Sequence, residues 1–233
     1  QKIYERIKSF FQTKLNFSGK KVLITAGPTY EAIDPVRFIG NHSSGLMGIE
    51  VARAFADQGA DVTLVLGPSN ISPNRKNINL IPVTSAKEMY DAVMAFFPKT
   101  DIAVLSAAVA DFRPEMVAEQ KIKKNPDNDT FTIKLVKTED ILKSVGKIKT
   151  ENQTVVGFAL ETENGLENAK KKLHTKNIDL IVLNEMNESG VGFKTKTNKI
   201  TIINREDQVT SFDLKQKNEV AVDILNAIYQ YIN

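Results

Sequence analysis

A chain of 233 residues that is 42% hydrophobic and 25% charged has the make-up of one ordinary folded domain, which excludes global disorder and low complexity. Cysteine is absent and only two histidines occur, so structural disulfides, thiolate metal sites, a cysteine nucleophile and a histidine-rich metal centre are excluded. The net charge of +3 and pI near 8.9 suit an anionic small molecule and fall short of the basic patch that nucleic-acid binding requires.

Residues 1–17 begin with Gln1 and carry Ile3, Ile7, Phe10 and Phe11 at helical spacing. They read as a linker helix or the remnant of a longer polypeptide, with a processed N-terminus as the alternative, and leave 18–233 as a single domain. Lys21–Ala26 is rich in β-branched residues and runs into Gly27-Pro28, the pattern of a buried strand ending in a turn. A long loop follows. Over residues 45–58, Leu46, Ile49, Val51, Ala52 and Phe55 recur at helical spacing and Gly59 supplies the stop. Asp61–Leu66 is strand again, completing the β-α-β unit of a parallel sheet. Residues 78–83 form the next strand, and Ser85 with Glu88 makes a capping box that opens a helix reaching Phe97.

Residues 101–109 (DIAVLSAAV) are nearly all apolar, as expected of a strand covered on both faces. The apolar run at 102–110 is far shorter than the roughly 18–20 residues of a membrane span, and no signal-peptide pattern opens the chain. The expectation is a soluble, cytoplasmic protein. Residues 111–128 lose periodicity and read as a long mobile loop of the functional kind. Residues 131–136 alternate like a half-exposed strand. A short helix at 140–148, a strand at 154–159, a basic helix at 165–174 and a strand at 179–183 follow. Residues 199–203 and 208–212 read as a two-stranded ribbon, and 220–232 as a closing amphipathic helix. The predicted fold is α/β and Rossmann-like: a mainly parallel sheet with helices on both faces, plus a C-terminal β-ribbon.

Ligands of open α/β sheets sit beyond the carboxyl ends of the strands, so the loops after Ala26, Val109, Val136, Ala159 and Leu183 should converge. Asn41-His42-Ser43-Ser44-Gly45 leads into the first helix, where free N–H groups and the helix dipole favour a phosphate. Ser43 or Ser44 acting merely as a helix cap is the competing reading. A nicotinamide-dinucleotide oxidoreductase is the obvious rival function. It is disfavoured because no G-x-G-x-x-G occurs and the second strand ends in Gly67-Pro68, where an acidic residue would hold a ribose. Neither a G-x-x-x-x-G-K-[ST] loop nor a G-x-S-x-G elbow is present.

The segments ITAGPT (24–29), DPVRFI (34–39), NHSSG (41–45), AAVAD (107–111), KIKK (121–124) and VGFA with Glu161-Thr162 (156–162) occur in this order. Together they resemble the bacterial phosphopantothenate-cysteine ligases over nearly the whole chain after Phe17. The resemblance implies CTP-dependent ligation of 4′-phosphopantothenate with L-cysteine through an acyl-cytidylate, giving 4′-phosphopantothenoylcysteine, CMP and pyrophosphate. Mg²⁺ is implied because it bridges triphosphate oxygens in such transfers. A homodimer is implied too, through the 199–212 ribbon or the 131–136 edge strand, as is fusion in the full-length protein to a flavin-dependent decarboxylase.

Residue by residue, the resemblance implies that Lys121 is a lid lysine serving acyl-cytidylate formation and that Asn41 serves capture by cysteine. It makes Ser43, Ser44, Gly45, Ser106, Ala107, Asp111, Lys121, Lys137, Thr138, Glu139, Asp140, Phe158, Lys172 and Lys176 nucleotide-binding, and Asn41 and Ala108 substrate-binding. Plainer readings stand beside these. Lys121, Lys123 and Lys124 could form a solvated basic face, Asn41 a helix cap or Asx-turn, Asp111 a turn residue and Phe158 part of the core. Lys172 and Lys176, at i and i+4, could be helix-end charges. Arg37 reads as a phosphate ligand or a conformational residue of the long loop, and His42 as a packed histidine.

Overall fold

The runs of valine, isoleucine and leucine named above become strands buried on both sides, and their alternate residues divide between two cores. The computed structural model describes residues 15–124, 130–161, 163–185 and 195–233, so the expected linker helix lies almost wholly outside the described residues. In chain order the elements are β1 (Lys21–Ala26), β2 (Tyr30–Ala32), β3 (Phe38–Gly40), α1 (Leu46–Asp57), β4 (Asp61–Leu66), β5 (Ile78–Pro82), α2 (Ala86–Phe96) and β6 (Ile102–Leu105). There follow β7 (Phe112–Pro114), β8 (Leu135–Lys137), α3 (Ile141–Ile148), β9 (Thr154–Glu161), α4 (Gly165–Thr175) and β10 (Leu180–Glu185). The last are β11 (Thr197–Asn198), β12 (Ile200–Asn204), β13 (Val209–Ser211), β14 (Lys215–Gln216) and α5 (Lys217–Ile232).

The main sheet runs β13-β12-β10-β9-β6-β1-β4-β5. Strands β5 through β10 in that order are parallel, while β12 is antiparallel to β10 and β13 to β12. On one face Val22, Ile24, Leu64, Val104 and Val182 pack with Ile49 and Phe55 of α1 and Val220 and Ile224 of α5. On the other face Leu23, Val65, Ala103, Val155 and Ile181 pack with Met89 and Val93 of α2, Val145 of α3 and Leu173 of α4. Phe17 sits edge-on to Phe55, with centroids 4.8 Å apart, and to Tyr229, 5.9 Å apart, which ties the start of the domain to its last helix.

The Rossmann-like α/β expectation holds, and the capping box of Ser85 and Glu88 forms as expected. Several local expectations are corrected. The long loop after β1 contains the β2–β3 hairpin, whose three-residue strands are too short to leave a period in the sequence. The strand expected over 101–109 ends at Leu105. Gly27, at φ +82°, turns β1 aside, and Thr25 Oγ1 accepts the Ala107 N–H at 3.2 Å in place of a ladder bond.

Within the expected loop 111–128, residues 112–114 form β7 and pair with β8 in a small separate sheet, and of the strand expected over 131–136 only residues 135 and 136 are strand, in β8. Residues 125–129 of that loop lie outside the described residues. The C-terminal ribbon is continuous with the main sheet through β10 and β12.

Candidate functional site

Beyond the carboxyl ends of β1, β6 and β9 lies a cavity of about 350 Å³. Thr25, Leu105 and Phe158 line it from the sheet, with Ala107, Val109 and Asp111 from the β6–β7 connection and Phe112 from β7. Lys137, Thr138, Glu139 and Asp140 come from the turn between β8 and α3, Ile141 and Leu142 from the first turn of α3, and Lys172 and Lys176 from the end of α4. Thr138 fixes that turn against the β6 loop: its Oγ1 donates to the Ala110 carbonyl at 2.7 Å and its N–H to the Asp111 carbonyl at 3.0 Å. Ala110 is held from below as its N–H donates to Thr29 Oγ1 at 2.9 Å.

Asp140 is the N-cap of α3, its Oδ1 accepting the Lys143 N–H at 2.9 Å, while Oδ2 pairs with Lys176 Nζ at 2.8 Å. Burial alone would raise the Asp140 pKa, but the bonds from Lys176 and the Lys143 N–H outweigh it and hold the carboxyl below its ordinary value. Lys172 donates from Nζ to the carbonyl of Phe158 at 2.9 Å, a neutral acceptor. Burial, and then the neighbouring Lys176 charge, lower its pKa. The lining therefore carries three lysines, Lys137, Lys172 and Lys176, against three acidic residues, Asp111, Glu139 and Asp140, with Asp140 paired to Lys176 and Lys172 bonded only to a neutral carbonyl, beside the aromatic side chain of Phe158.

The other expected residues are not part of the cavity lining. Asn41 Nδ2 donates to the carbonyl of Val109 at 2.9 Å, which brings Asn41 to the rim. Ala108 lies beside it, its N–H donating to the Gly27 carbonyl at 2.9 Å. Ser106 Oγ donates to the Thr25 carbonyl at 2.7 Å and packs against Gly48 of α1. Neither serine is the helix cap, because the N-cap of α1 is Gly45. Ser43 Oγ accepts the Gly45 N–H at 3.2 Å and Ser44 Oγ the Leu46 N–H at 3.4 Å, both being local turns two residues long.

Lys121 is exposed and stands outside the lining, in a segment held by the β2–β3 hairpin. His42 is exposed, which corrects the expectation of a packed histidine. Arg37 takes the conformational option, pairing with Asp34. Phe158 lines the cavity and also packs against the α1 and α5 core. Sequence reasoning missed Thr25, Thr29 and Asp34. Asp34-Pro35 three residues ahead of Arg37 was a legible Asx-turn signal, whereas the threonines act through contacts some eighty residues away.

The family model described as "DNA/pantothenate metabolism flavoprotein C-terminal domain" matches residues 17–232. A curated relative from an unknown prokaryotic organism, "Cysteine/Cysteine sulfinic acid decarboxylase", is 47% identical over 237 residues, covering 100% of this chain and 66% of its own length. The coenzyme A biosynthesis bifunctional protein CoaBC of Vibrio cholerae is 46% identical over 223 residues, 96% of this chain and 55% of that protein. The chain thus spans between about half and two thirds of these relatives.

Among solved structures, the C-terminal domain of a CoaBC protein superposes with a TM-score of 0.79 at 38% identity, over 93% of this chain and 97% of that one. A mutant of Cab2 in complex with phosphopantothenate-cysteine shares the fold, with a TM-score of 0.74 at 20% identity over 98% of this chain and 91% of that one. On the match to residues 17–232, the chain belongs to the DNA/pantothenate metabolism flavoprotein C-terminal domain family.

Proposed function

We propose that the chain is an enzyme of coenzyme A biosynthesis that ligates 4′-phosphopantothenate to L-cysteine, using CTP and passing through an acyl-cytidylate. One observation carries this reading. Asp111, residues 137–140, Phe158, Lys172 and Lys176, drawn from separate segments, share one cavity at the carboxyl end of the sheet, and Asn41 is bonded to its rim. The CoaBC relatives support the pathway, and the phosphopantothenate-cysteine bound by Cab2 supports the substrate class.

A carboxylate cannot be attacked by an amine unless its oxygen is first made a good leaving group. In the first step the pantothenoyl carboxylate oxygen bonds to the α-phosphorus of CTP and the bond to the β-phosphate oxygen breaks, releasing pyrophosphate. In the second, the cysteine nitrogen bonds to the acyl carbon, the carbon–oxygen bond to CMP breaks, and the ammonium proton passes to solvent or phosphate. Lys172 and Lys176 meet the triphosphate charge, Phe158 offers a face to the ring, and Asp111 accepts from ribose or base. Ser43, Ser44 and Gly45 present the amino end of α1 to phosphate. Lys121 offsets the charge that grows on the phosphorus, and Asn41, with Ala108 beside it, orients the acyl group for the amine.

Mg²⁺ enters this reading as part of the metal–nucleotide complex. Among the described residues no group of three or more His, Asp or Glu could hold a metal, and Asp140 is committed to Lys176. In this proposal Mg²⁺ would be carried mainly by the triphosphate oxygens. A cytoplasmic location belongs to the same reading; no described helix is long and apolar enough to cross a membrane. So does fusion to a decarboxylase in the full-length protein.

A homodimer is proposed through the β2–β3 and β7–β8 side, which includes the 131–136 segment. Phe38, Phe112, Met116, Phe131 and Leu135 are all exposed there beside open strand edges, a surface that two copies can cover by strand pairing. The deciding assay is pyrophosphate release with 4′-phosphopantothenate, offering CTP and ATP in turn, with and without cysteine. Release that requires the pantothenoyl acid and precedes cysteine is expected. No release with either nucleotide refutes the ligase reading.

A further inference from the structure

One buried carboxylate locks the β2–β3 turn to the backbone beside Lys121. Asp34 is 2% exposed. Its Oδ1 closes the turn by accepting the N–H groups of Val36 and Arg37, each at 2.8 Å. An Asx-turn needs no more than that oxygen. Oδ2, however, accepts from Arg37 Nε at 2.9 Å and Nη2, and from the N–H of Ile122 at 3.1 Å. Arg37 Nη2 donates in turn to the Ile122 carbonyl at 2.7 Å. Both backbone polar groups of Ile122, the residue after Lys121, are therefore held by one ion pair from a distant part of the chain. A further bond, from the Ala118 N–H to the Ile33 carbonyl at 3.0 Å, docks the same segment on the same hairpin.

We infer that Asp34 is a positioning residue for Lys121: with Arg37 it clamps Ile122 and so fixes the backbone from which the Lys121 ammonium reaches the transferring phosphorus. The inference rests on the ligase reading for the step that Lys121 serves. A lysine side chain has many rotamers, so where its ammonium can go depends on where its Cα is held. A displacement of about 1 Å in a reacting group can cost about 100-fold in rate. The Arg37 guanidinium, the nearest cation to Asp34, holds its carboxyl well below the usual carboxylate range, so the clamp stays ionised throughout neutral pH.

The experiment uses the full chain and the Asp34→Asn variant, alone and combined with Lys121→Gln. Amide exchange at Ile122 is measured together with quenched single-turnover formation of acyl-cytidylate and its capture by cysteine. In Asp34→Asn, Ile122 exchange accelerates and formation slows by about 10–100-fold, while the KM for CTP and the capture rate stay within about threefold. In the Lys121→Gln background Asp34→Asn adds no further loss, because the two act through one group. An equal loss in both backgrounds, or a normal formation rate despite faster exchange, overturns the inference.

If Asp34→Asn fails to fold, Arg37→Lys replaces it, since that variant leaves the turn bonds to Asp34 Oδ1 in place. A normal formation rate there also overturns the inference. Should the wild type form no acyl-cytidylate, it is the ligase reading that fails. The clamp is then judged by Ile122 exchange and tryptic cleavage after Lys121: acceleration in the variant supports it, and no change overturns it.

Discussion

Asn41 and Val109 are joined by a single hydrogen bond, Nδ2 to carbonyl oxygen at 2.9 Å, which ties the approach to α1 to the loop that rims the cavity. The amide can donate there because it is neutral. In Asn41→Asp the donor is lost and a carboxylate faces a carbonyl, at a cost of about 1–3 kcal/mol to the local geometry. Acyl-cytidylate formation is expected to remain within a few-fold of normal while capture by cysteine slows by about 10–100-fold. Quenched single-turnover assays with labelled CTP check this; equal slowing of both steps refutes the assignment.

Lys121 contributes nothing to the cavity lining, so its loss should leave nucleotide binding almost intact. Lys121→Gln is expected to cut nucleotidyl transfer by about 100–1,000-fold, the scale of losing one preorganised charge in a transition state. Equilibrium CTP binding measured alongside the burst of pyrophosphate tests the split.

Lys172 is held below its ordinary pKa of 10.5 by burial and by Lys176, and an arriving triphosphate favours its protonated form. CTP affinity should therefore be constant at neutral pH and weaken as pH rises through the lowered Lys172 value, in a window that opens below 10.5. Calorimetry in buffers of different ionisation enthalpy should show proton uptake on binding in that window. Lys172→Met should remove the uptake and weaken binding by about 10–100-fold.

Gly48 in the first turn of α1 leaves no room for a side chain: an added Cβ would meet Ala26 Cβ and Ser106 Oγ, each at 2.5 Å. Gly48→Ala is expected to destabilise the fold by about 1–3 kcal/mol, despite alanine's better helix propensity, and to weaken CTP binding by shifting the start of the helix. Denaturant unfolding gives the sign directly, and a stabilised variant would contradict it.

Leu135 is exposed on the small β7–β8 sheet. Leu135→Glu should convert a homodimer to monomer in light scattering without lowering the melting temperature of the monomer. A variant that stays dimeric moves the interface elsewhere.

Sequence reading succeeded where the chemistry is local. Ser85 with Glu88 wrote the start of α2, Asp140 the start of α3, and the i, i+4 spacing of Lys172 and Lys176 put both ammonium groups on one face of α4. It failed where a distant partner decides. Apolar composition carried the expected strand to Val109, yet the regular ladder ends at Leu105: beyond it Thr25 Oγ1 takes the Ala107 N–H, Gly27 bends the chain, and the two segments meet again in an isolated bridge between Pro28 and Ala108. The strands β2, β3 and β7 are three residues long, below what periodicity can register, and the alternation over 131–136 overlaps β8 only at its end. Asp34 was given no role of its own, because one of its partners, Ile122, is 88 positions away.

The contact of Phe17 with Tyr229 brings the segment entering β1 beside the last helix, at the opposite end of the strands from the cavity. Chain order is then a convention rather than a requirement of the architecture. A circular permutant that bridges Phe17 and the last helix with a short linker, reopened at the exposed Glu206-Asp207 turn, would redraw the map of the gene while leaving the cavity walls in register.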